Sequence, residues 1–175
     1  MKLYNTLSGS KEEFTTPDGK VRMYVCGITP YAPSHIGHAM MSVVFDVVRR
    51  YLEYKGLAVT HIQNFTDVDD KIITAANASG VSTDELAETN IRQYHEEMDA
   101  LNVLRAHTYP RATTEIPAIV GMIQSLEKQG YAYSVDGDVY FRVGRSADYG
   151  KLSRRSAEDL LAGARRGSGR GEGRP

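Results

Sequence analysis

A cysteine and two histidines lie close together in residues 26–38, in the run CGITPYAPSHIGH. A β-prone segment precedes this run and a helix-type pattern follows it, so the run connects a strand to a helix. Ligands of open α/β sheets bind outside the carboxyl ends of strands, often against a helix amino terminus. Imidazoles at His35 and His38 lie on one side of a first helical turn. They can donate hydrogen bonds to phosphate oxygens as negative charge develops, which predicts a nucleotide site.

Gly37 separates the two histidines, and a glycine there lets a flat ring or a phosphate approach the backbone. Two isolated histidines are more often surface or capping residues without a ligand. A strand before the pair, a helix after it and a second strand at the expected distance favour the nucleotide interpretation over that alternative.

The elements that must position these residues form a βαβ unit. Residues 21–26 and 58–65 are predicted to be buried strands, and residues 36–55 a helix capped by Ser34. The two strands should be parallel, because a helix connects them. The fold class is therefore α/β. Six apolar residues of the helix fall on one face: Val43, Val44, Val47, Val48, Tyr51 and Leu52.

The rest of the chain is predicted to be mainly helical, with short strand pairs at both ends. The first fifteen residues should form an edge hairpin that ends at the turn Pro17–Lys20. Asp136-Gly137 indicates a second hairpin. Four further helices are expected, over residues 68–79, 83–102, 113–129 and 156–162. Pro117 should lie in the first turn of the helix over residues 113–129.

Composition places the chain among ordinary globular proteins. Of its 175 residues, 41% are hydrophobic and 25% charged, which excludes a wholly disordered or fibrous chain. No apolar run approaches the ~20 residues that a membrane span needs. The single cysteine cannot form an internal disulfide, which fits the reducing cytoplasm. Residues 163–175 hold five glycines and four arginines and are predicted to be disordered. Such a tail could bind RNA weakly, or have no role of its own.

The run His35-Ile36-Gly37-His38 resembles the HIGH motif of class I aminoacyl-tRNA synthetases. Longer runs narrow the resemblance to cysteinyl-tRNA synthetases, and they follow in order from residue 3 to about residue 165. They are YNTL at 4–7, MYVCGIT at 23–29, NFTDVDDKII at 64–73, DALN at 99–102, PRAT at 110–113 and YGKLS at 149–153.

The resemblance implies a fold and a domain organisation. Residues 1–104 should be the amino-terminal half of a class I Rossmann-like (HUP) nucleotide-binding domain. Residues 105–162 should be the start of its connective insertion, followed by the Gly/Arg-rich tail at 163–175. The family's second nucleotide motif and its anticodon-binding region have no counterpart in the sequence, so we expect a partial enzyme.

The resemblance also implies a reaction, in which cysteine is activated with ATP to cysteinyl-adenylate and then transferred to tRNA(Cys). Magnesium should accompany the ATP. The residues implied to bind ATP are His35, Ile36, Gly37 and His38, with His35 and His38 catalytic. Those implied to bind L-cysteine are Cys26, Gly27 and Thr66.

Cys26 is implied to be one of four ligands of a zinc ion that binds the thiol of the substrate. A soft thiolate prefers zinc far more than a hydroxyl does, so one metal bond can separate cysteine from serine. The other three ligands are expected beyond residue 175. Without the resemblance, a lone cysteine is more often a small buried hydrophobe.

Two alternatives remain open at this point. The ligase that joins cysteine to an amino sugar in mycothiol synthesis resembles the same family and shares the start Cys-Gly-Ile-Thr-Pro-Tyr. It departs from the pattern at residues 70–73, where this chain has Asp-Lys-Ile-Ile. The other alternative is a folded but inactive fragment.

Overall fold

The structure is a computed structural model that describes residues 1–154. The predicted helix at 156–162 and the Gly/Arg-rich tail lie outside the described residues. In chain order the elements are β1 (Lys2–Asn5), β2 (Ser10–Glu13), β3 (Lys20–Ile28), α1 (Ile36–Tyr54), β4 (Ala58–Phe65), α2 (Asp70–Ser79), α3 (Thr83–Ala100), α4 (Ala112–Lys128), β5 (Ala132–Val135), β6 (Asp138–Phe141) and a 3₁₀ turn at Val143–Arg145.

The chain divides into two compact units. One is the continuous segment Thr16–Pro117, and the other combines Met1–Thr15 with the chain from Ala118 onward. The candidate site residues all lie in the segment Thr16–Pro117. The sequence-based boundary between residues 104 and 105 stays a prediction.

The predicted βαβ unit is confirmed in the segment Thr16–Pro117. β3 and β4 pair in parallel, from Lys20 opposite Ala58 to Val25 opposite Gln63, and α1 connects them. Alternate residues on each strand are buried because they lie on the same face of the pair. The carboxyl ends of both strands therefore lie at one edge of the sheet, the edge at which α1 begins.

Residues 107–111 extend the sheet beyond β4. The backbone N–H groups of Gln63 and Phe65 donate to the carbonyls of Thr108 (3.1 Å) and Pro110 (2.9 Å), and the N–H of His107 donates to the carbonyl of His61 (2.8 Å). This segment runs parallel to β4 and pairs with its second edge. This segment contains Pro110 and has no alternation of apolar and polar residues, so the sequence did not predict a strand here.

Two hairpins lie in the other unit. β1 and β2 pair antiparallel and are joined by a turn at residues 6–9. Gly9 has φ +70°, a conformation that glycine adopts without steric cost, and this fixes the turn there. The turn predicted at Pro17–Lys20 is present, but it follows the hairpin and does not connect its strands. The hairpin predicted at Asp136-Gly137 is confirmed, with β5 and β6 joined by those two residues at positive φ.

The helix α4 begins at Ala112, so Pro117 is its sixth residue and lies in the second turn, not the first. The start is fixed by Asp67, whose carboxylate accepts from the backbone N–H of Thr113 (2.9 Å) and from its hydroxyl (2.6 Å). A carboxylate that receives the free N–H groups of a first turn stabilises a helix start. That contact joins residues 46 positions apart, which a local sequence pattern does not contain.

Three of the four buried residues of α1 are polar. Its buried residues are Ser42, Asp46, Arg49 and Leu52, whereas Val47 is 58% exposed. Of the six apolar residues on the predicted face, only Leu52 is buried. The apolar face of α1 is therefore an exposed surface of the described chain and not the core of the unit.

Specific partners explain why charged side chains are buried instead. The Asp46 carboxylate accepts from the backbone N–H of Leu104 (3.0 Å) and from the Arg50 guanidinium (2.7 Å). The Arg49 guanidinium donates to the backbone carbonyl of Arg105 (2.8 Å). Buried polar groups are tolerated when their hydrogen bonds are made. These bonds attach α1 to the segment that follows α3.

Part of the hydrophobic core lies at the carboxyl ends of the two strands. Its cluster there consists of Ile28, Phe65, Ile91, Tyr94 and Met98, so that α3 packs against the ends of β3 and β4. The Tyr94 hydroxyl is within hydrogen-bond distance of the Ser42 hydroxyl (3.0 Å) and the Gln63 amide (3.1 Å). Tyr94 and Met98 are 2% and 4% exposed, so both side chains serve packing.

The exposed apolar residues of α1 do not form a membrane-spanning segment. Among residues 1–154, no helix combines the length and the apolar character that crossing a bilayer requires.

We expect the exposed face of α1 to promote self-association, because contiguous apolar surface drives contact between chains. Val47→Glu should lower the sedimentation coefficient and the light scattering of concentrated protein. The free energy of unfolding should change by less than ~0.5 kcal/mol, as at other exposed positions. Thr89→Glu adds the same charge at an exposed position of α3 and serves as the control. Equal association of both variants would contradict this prediction.

His61 is a buried histidine of β4, only 5% exposed, and neither ring nitrogen has a hydrogen-bond partner among residues 1–154. Burial lowers its pKa first of all; Arg49 and His107 lower it further, and Asp46 opposes them. Burial likewise lowers the pKa of His95. Burial therefore disfavours the protonated form of both rings in the folded chain.

These lowered pKa values predict that stability falls on acidification. The unfolded chain, with histidine pKa values near 6.5, binds protons that the folded chain excludes, so the free energy of unfolding should decrease from about pH 7 to pH 5. Urea titrations at several pH values measure this slope. His61→Leu removes one titrating group and should make the slope shallower. An unchanged slope in that variant would show that His61 does not contribute.

Candidate functional site

The ladder between β3 and β4 is interrupted at Cys26 and Gly27. Pairing shifts register after Val25 and resumes with Ile28 opposite Phe65. Cys26, within this irregularity, is exposed. Bulges of this kind re-aim a side chain at the end of a strand. The alternative of a buried, merely packed cysteine is therefore wrong for this chain.

Gly27 lies where the two strands come closest. A Cβ built on it would lie 1.5 Å from the carbonyl oxygen of Asn64, far inside any permitted contact. The N–H of Gly27 donates to the side-chain oxygen of Asn64 (2.8 Å). Only glycine fits this position without separating the strands.

Thr66 follows β4 at the same edge of the sheet. Its backbone N–H donates to the carbonyl of Ile28 (3.0 Å), and its hydroxyl accepts from the side-chain nitrogen of Asn64 (3.3 Å). Through Asn64, the structure brings Gly27 and Thr66 into one hydrogen-bonded group, with Cys26 adjacent to it in the chain. These are the three residues that the sequence analysis assigned to cysteine binding.

His35 and His38 form the amino terminus of α1. His35 is the N-cap, with φ −129° and ψ 172°, and its Nδ1 accepts from the N–H of Gly37 (3.1 Å). The Nδ1 of His38 accepts from the N–H of His35 (3.4 Å), which completes a capping box made of two imidazoles. The prediction of Ser34 as the cap is wrong, because an imidazole nitrogen supplies the acceptor instead.

The hydrogen bonds of the two rings assign their protons. Since Nδ1 accepts in both His35 and His38, each neutral ring carries its hydrogen on Nε2. The rings stack with centroids 3.9 Å apart. Burial and the neighbouring His35 lower the pKa of His38, while Glu97 opposes them. Both Nε2–H groups are therefore free to donate to an anion at the amino end of α1, where the helix dipole also favours negative charge.

The two residues between the histidines differ in what they contribute. A Cβ on Gly37 would lie 2.9 Å from Cε1 of His35, so glycine leaves room for the ring to fold over the first turn. Ile36 is 84% exposed and makes no hydrogen bond through its side chain. The geometry thus explains why position 37 is a glycine, and it places Ile36 at the surface.

The loop that joins Cys26 to His35 is held by α3 and α2. Pro30 is fully buried, and its carbonyl accepts from the side-chain amide of the buried Asn90 (3.0 Å). The Lys71 ammonium lies over the Tyr31 ring, 5.5 Å from its centroid. Buried anchors of this kind limit the conformations of a loop, so the spacing from the end of β3 to the first turn of α1 is fixed.

Sequence reasoning missed Asn64 and Asn90 as site residues. Asn90 had a detectable signal, because it is a polar residue on the otherwise apolar face of α3 that carries Ala87, Ile91 and Tyr94. Asn64 had no such signal, apart from its place in the run NFTDVDDKII at 64–73 that resembles the family. Of the hydrogen bonds among residues 1–154, none joins the histidine pair to the Cys26–Thr66 group.

The described residues do not form a metal centre. Among residues 1–154, no three His, Cys, Asp or Glu side chains are grouped as a metal ion would require. Structural zinc takes four ligands, and the chain offers the exposed Cys26 thiol as a single one. The residues present therefore do not fit zinc on their own.

The acidic residues after β4 have structural roles. Asp69 is the N-cap of α2 and accepts from the N–H of Lys71 (2.9 Å), and Asp70 lies in the first turn. Carboxylates at these positions interact favourably with the helix dipole.

We expect Gly27→Ala to open the site and destabilise the segment Thr16–Pro117. The added methyl group must displace the backbone of Asn64, and overpacking of this kind costs about 1–3 kcal/mol. Urea unfolding followed by circular dichroism measures the loss. Gly121→Ala is the matched control, because a Cβ there meets nothing within 4 Å. In that helical position alanine should stabilise by up to ~1 kcal/mol. Equal stability of the two variants would be incompatible with the close approach.

Similar proteins of known name share most of this sequence. A cysteine–tRNA ligase of Dehalococcoides mccartyi strain 195 is 57% identical over 166 residues, which are 94% of this chain and 36% of that protein. The cysteine–tRNA ligase of Clostridioides difficile strain 630 is 51% identical over 166 residues, with the same coverage. The chain thus spans about a third of the length of these curated relatives.

Solved structures of class I synthetases share the fold. Mycobacterium tuberculosis methionyl-tRNA synthetase, in complex with methionyl-adenylate, matches 65% of this chain and 23% of its own with a TM-score of 0.58 and 25% identity. A putative arginyl-tRNA synthetase from Campylobacter jejuni matches 87% of this chain and 45% of its own, with a TM-score of 0.56 at 13% identity.

The family comparison covers nearly the whole sequence. The family described as tRNA synthetases class I (C) catalytic domain matches residues 13–173. The resemblance to cysteinyl-tRNA synthetases and the α/β, Rossmann-like fold expected from it are confirmed. The chain belongs to the class I (C) tRNA synthetase catalytic-domain family.

Proposed function

We propose that this chain carries the ATP- and cysteine-binding part of a cysteine–tRNA ligase. The complete reaction activates L-cysteine with ATP to cysteinyl-adenylate, releases pyrophosphate and transfers cysteine to tRNA(Cys) in the cytoplasm. The observation that carries the proposal is the histidine pair at the amino end of α1, with both Nδ1 atoms used in capping and both Nε2–H groups left to donate.

His35 and His38 act on the phosphate groups of ATP. Nucleophilic attack by the cysteine carboxylate on the α-phosphorus places more negative charge on the phosphate oxygens. Donors that are already oriented stabilise that charge without reorganising. The capping bonds provide this orientation, since each ring is fixed through Nδ1 while Nε2 faces away. Neutral rings suit the role, because they donate without repelling one another across 3.9 Å.

Ile36 and Gly37 complete the ATP-binding run. Because Gly37 has no side chain, the adenine ring can approach the first turn of α1, and the exposed Ile36 adds apolar surface beside it. Magnesium accompanies the ATP and neutralises part of the phosphate charge, as it commonly does in nucleotide sites.

Cys26, Gly27 and Thr66 bind the amino-acid substrate. The Thr66 hydroxyl accepts one hydrogen bond from Asn64 and retains a lone pair for the ammonium group of cysteine. Zinc, when bound, supplies selectivity for a thiol over a hydroxyl. Cys26 is the ligand that this chain offers, and residues 1–154 do not form a complete zinc site.

The relatives support cysteine as the substrate, because those at 50–57% identity carry the name cysteine–tRNA ligase. The methionyl-tRNA synthetase structure contains an aminoacyl-adenylate, which supports ATP-dependent activation on this fold. Neither observation points to the amino-sugar ligase.

Titration of ¹⁵N-labelled chain with Mg-ATP tests the nucleotide site. We expect chemical-shift changes at the backbone amides of residues 36–38, and little change with Mg-GTP. His38→Asn keeps an acceptor in place of Nδ1 but removes the donor at Nε2, so ATP should bind at least about tenfold more weakly. His38→Gln places an amide N–H near the position of Nε2 and should retain more affinity.

Two outcomes of this titration would refute the ATP site. One is equal ATP affinity of wild type and His38→Asn. The other is shift changes that occur only outside residues 36–38. The melting temperature of each variant, measured in the same buffer, separates loss of binding from loss of the helix cap.

A further inference from the structure

The bulge at the end of β3 leaves one backbone donor without its usual partner. In a regular parallel ladder the N–H of Gly27 would pair with a backbone carbonyl of β4, but the register shift between Val25 and Ile28 prevents this. The side-chain oxygen of Asn64 accepts that hydrogen bond at 2.8 Å, in a partly buried position. An unpaired buried N–H costs about 1–3 kcal/mol. The Asn64 side chain therefore replaces a hydrogen bond that the backbone of β4 would otherwise provide.

The nitrogen of the same side-chain amide makes a second hydrogen bond, to Thr66. Asn64 Nδ2 donates to the Thr66 hydroxyl at 3.3 Å. The backbone N–H of Thr66 in turn donates to the carbonyl of Ile28 at 3.0 Å. Gly27, Asn64, Thr66 and Ile28 therefore form a closed ring of contacts across the ends of the two strands.

Few side chains could replace Asn64 in this ring. The position needs an acceptor and a donor on one planar group, at a fixed distance from the backbone. Aspartate has the acceptor but lacks the donor, and leucine of similar size lacks both. The close approach at Gly27 leaves no room for the strands to shift and compensate.

We propose that Asn64 is a positioning residue of the cysteine site, fixing Gly27, and with it Cys26, relative to the Thr66 hydroxyl. This inference rests on the proposed function for the identity of the ligand. Asn64 occupies one acceptor position of the hydroxyl and leaves the other for the ammonium group of the substrate. The site is thereby formed before cysteine arrives, which lowers the cost of ordering on binding.

Amide hydrogen exchange of the full 175-residue chain tests the first half of the ring. The Gly27 amide should be protected in wild type and in Asn64→Asp, which keeps the acceptor. In Asn64→Leu it should exchange at least about tenfold faster, because the hydrogen bond is lost. The Val25 amide, which belongs to the regular ladder, is the internal reference and should not change. Equal Gly27 exchange in Asn64→Leu and wild type, relative to Val25, would overturn the proposal.

The contact between Asn64 and the Thr66 hydroxyl is tested through the side-chain amide signals of Asn64. Thr66→Val removes the acceptor hydroxyl with little change of shape, so these signals should shift while the protection of Gly27 persists. Unshifted Asn64 signals would overturn the proposal, even if Asn64→Leu fails to fold.

Titration with L-cysteine separates this inference from the proposed function. We expect the Thr66 amide of wild type to shift and Asn64→Asp to bind at least about tenfold more weakly. If cysteine moves no signal of wild type while the exchange results hold, the proposed substrate is wrong and the Asn64 contacts stand. If cysteine binds equally to both proteins, the positioning role is wrong and the proposed function stands.

Discussion

The closest approach of two parallel strands determines the geometry of this site. At Gly27, β3 lies so near the backbone of β4 that a single methyl group would overlap the Asn64 carbonyl. The ladder cannot continue in register through that point, and the resulting bulge exposes Cys26. The buried Pro30 then fixes the loop that leads to α1. A steric constraint at one residue thus determines which groups reach the edge of the sheet.

The histidine pair shows how one group can serve structure and chemistry through different atoms. The Nδ1 atoms of His35 and His38 satisfy backbone donors that begin α1, and this requires neutral rings. Neutral rings bonded through Nδ1 have their hydrogens on Nε2. The cap therefore prepares the donors that phosphate chemistry needs. Protonation at Nδ1 would remove the capping acceptor, although the Nε2–H donor would remain. The lowered pKa of His38 makes that protonation less favourable.

Local patterns predicted what depends on local interactions. The alternation in β3 and β4, the turn at Asp136-Gly137 and the helix periods each reflect contacts within a few residues, and the structure has them. The family resemblance supplied the substrate, which spacing alone did not. The cap at His35 was missed because an imidazole acceptor at that position is uncommon, and Ser34 beside it is the usual choice.

The buried face of α1 could not be predicted for a different reason. Its apolar residues are periodic, and periodicity normally marks the buried side of a helix. Asp46 and Arg49 are buried because groups near residues 104 and 105 receive and donate their hydrogen bonds, more than 50 positions away in sequence. Asn64 was missed on the same grounds, since its role depends on Gly27, 37 positions earlier.

The uneven distribution of the core has a consequence for the site. One cluster of buried apolar side chains lies at the carboxyl ends of the strands, where Phe65 and Tyr94 pack edge to face with ring centroids 5.6 Å apart. The side of α1 towards the segment after α3 is held by hydrogen bonds and ion pairs instead. Hydrophobic burial and dense packing give more stabilisation per contact than ion pairs at partly exposed positions. This apolar cluster lies next to Thr66 and the end of β3, where small displacements would most affect the substrate groups.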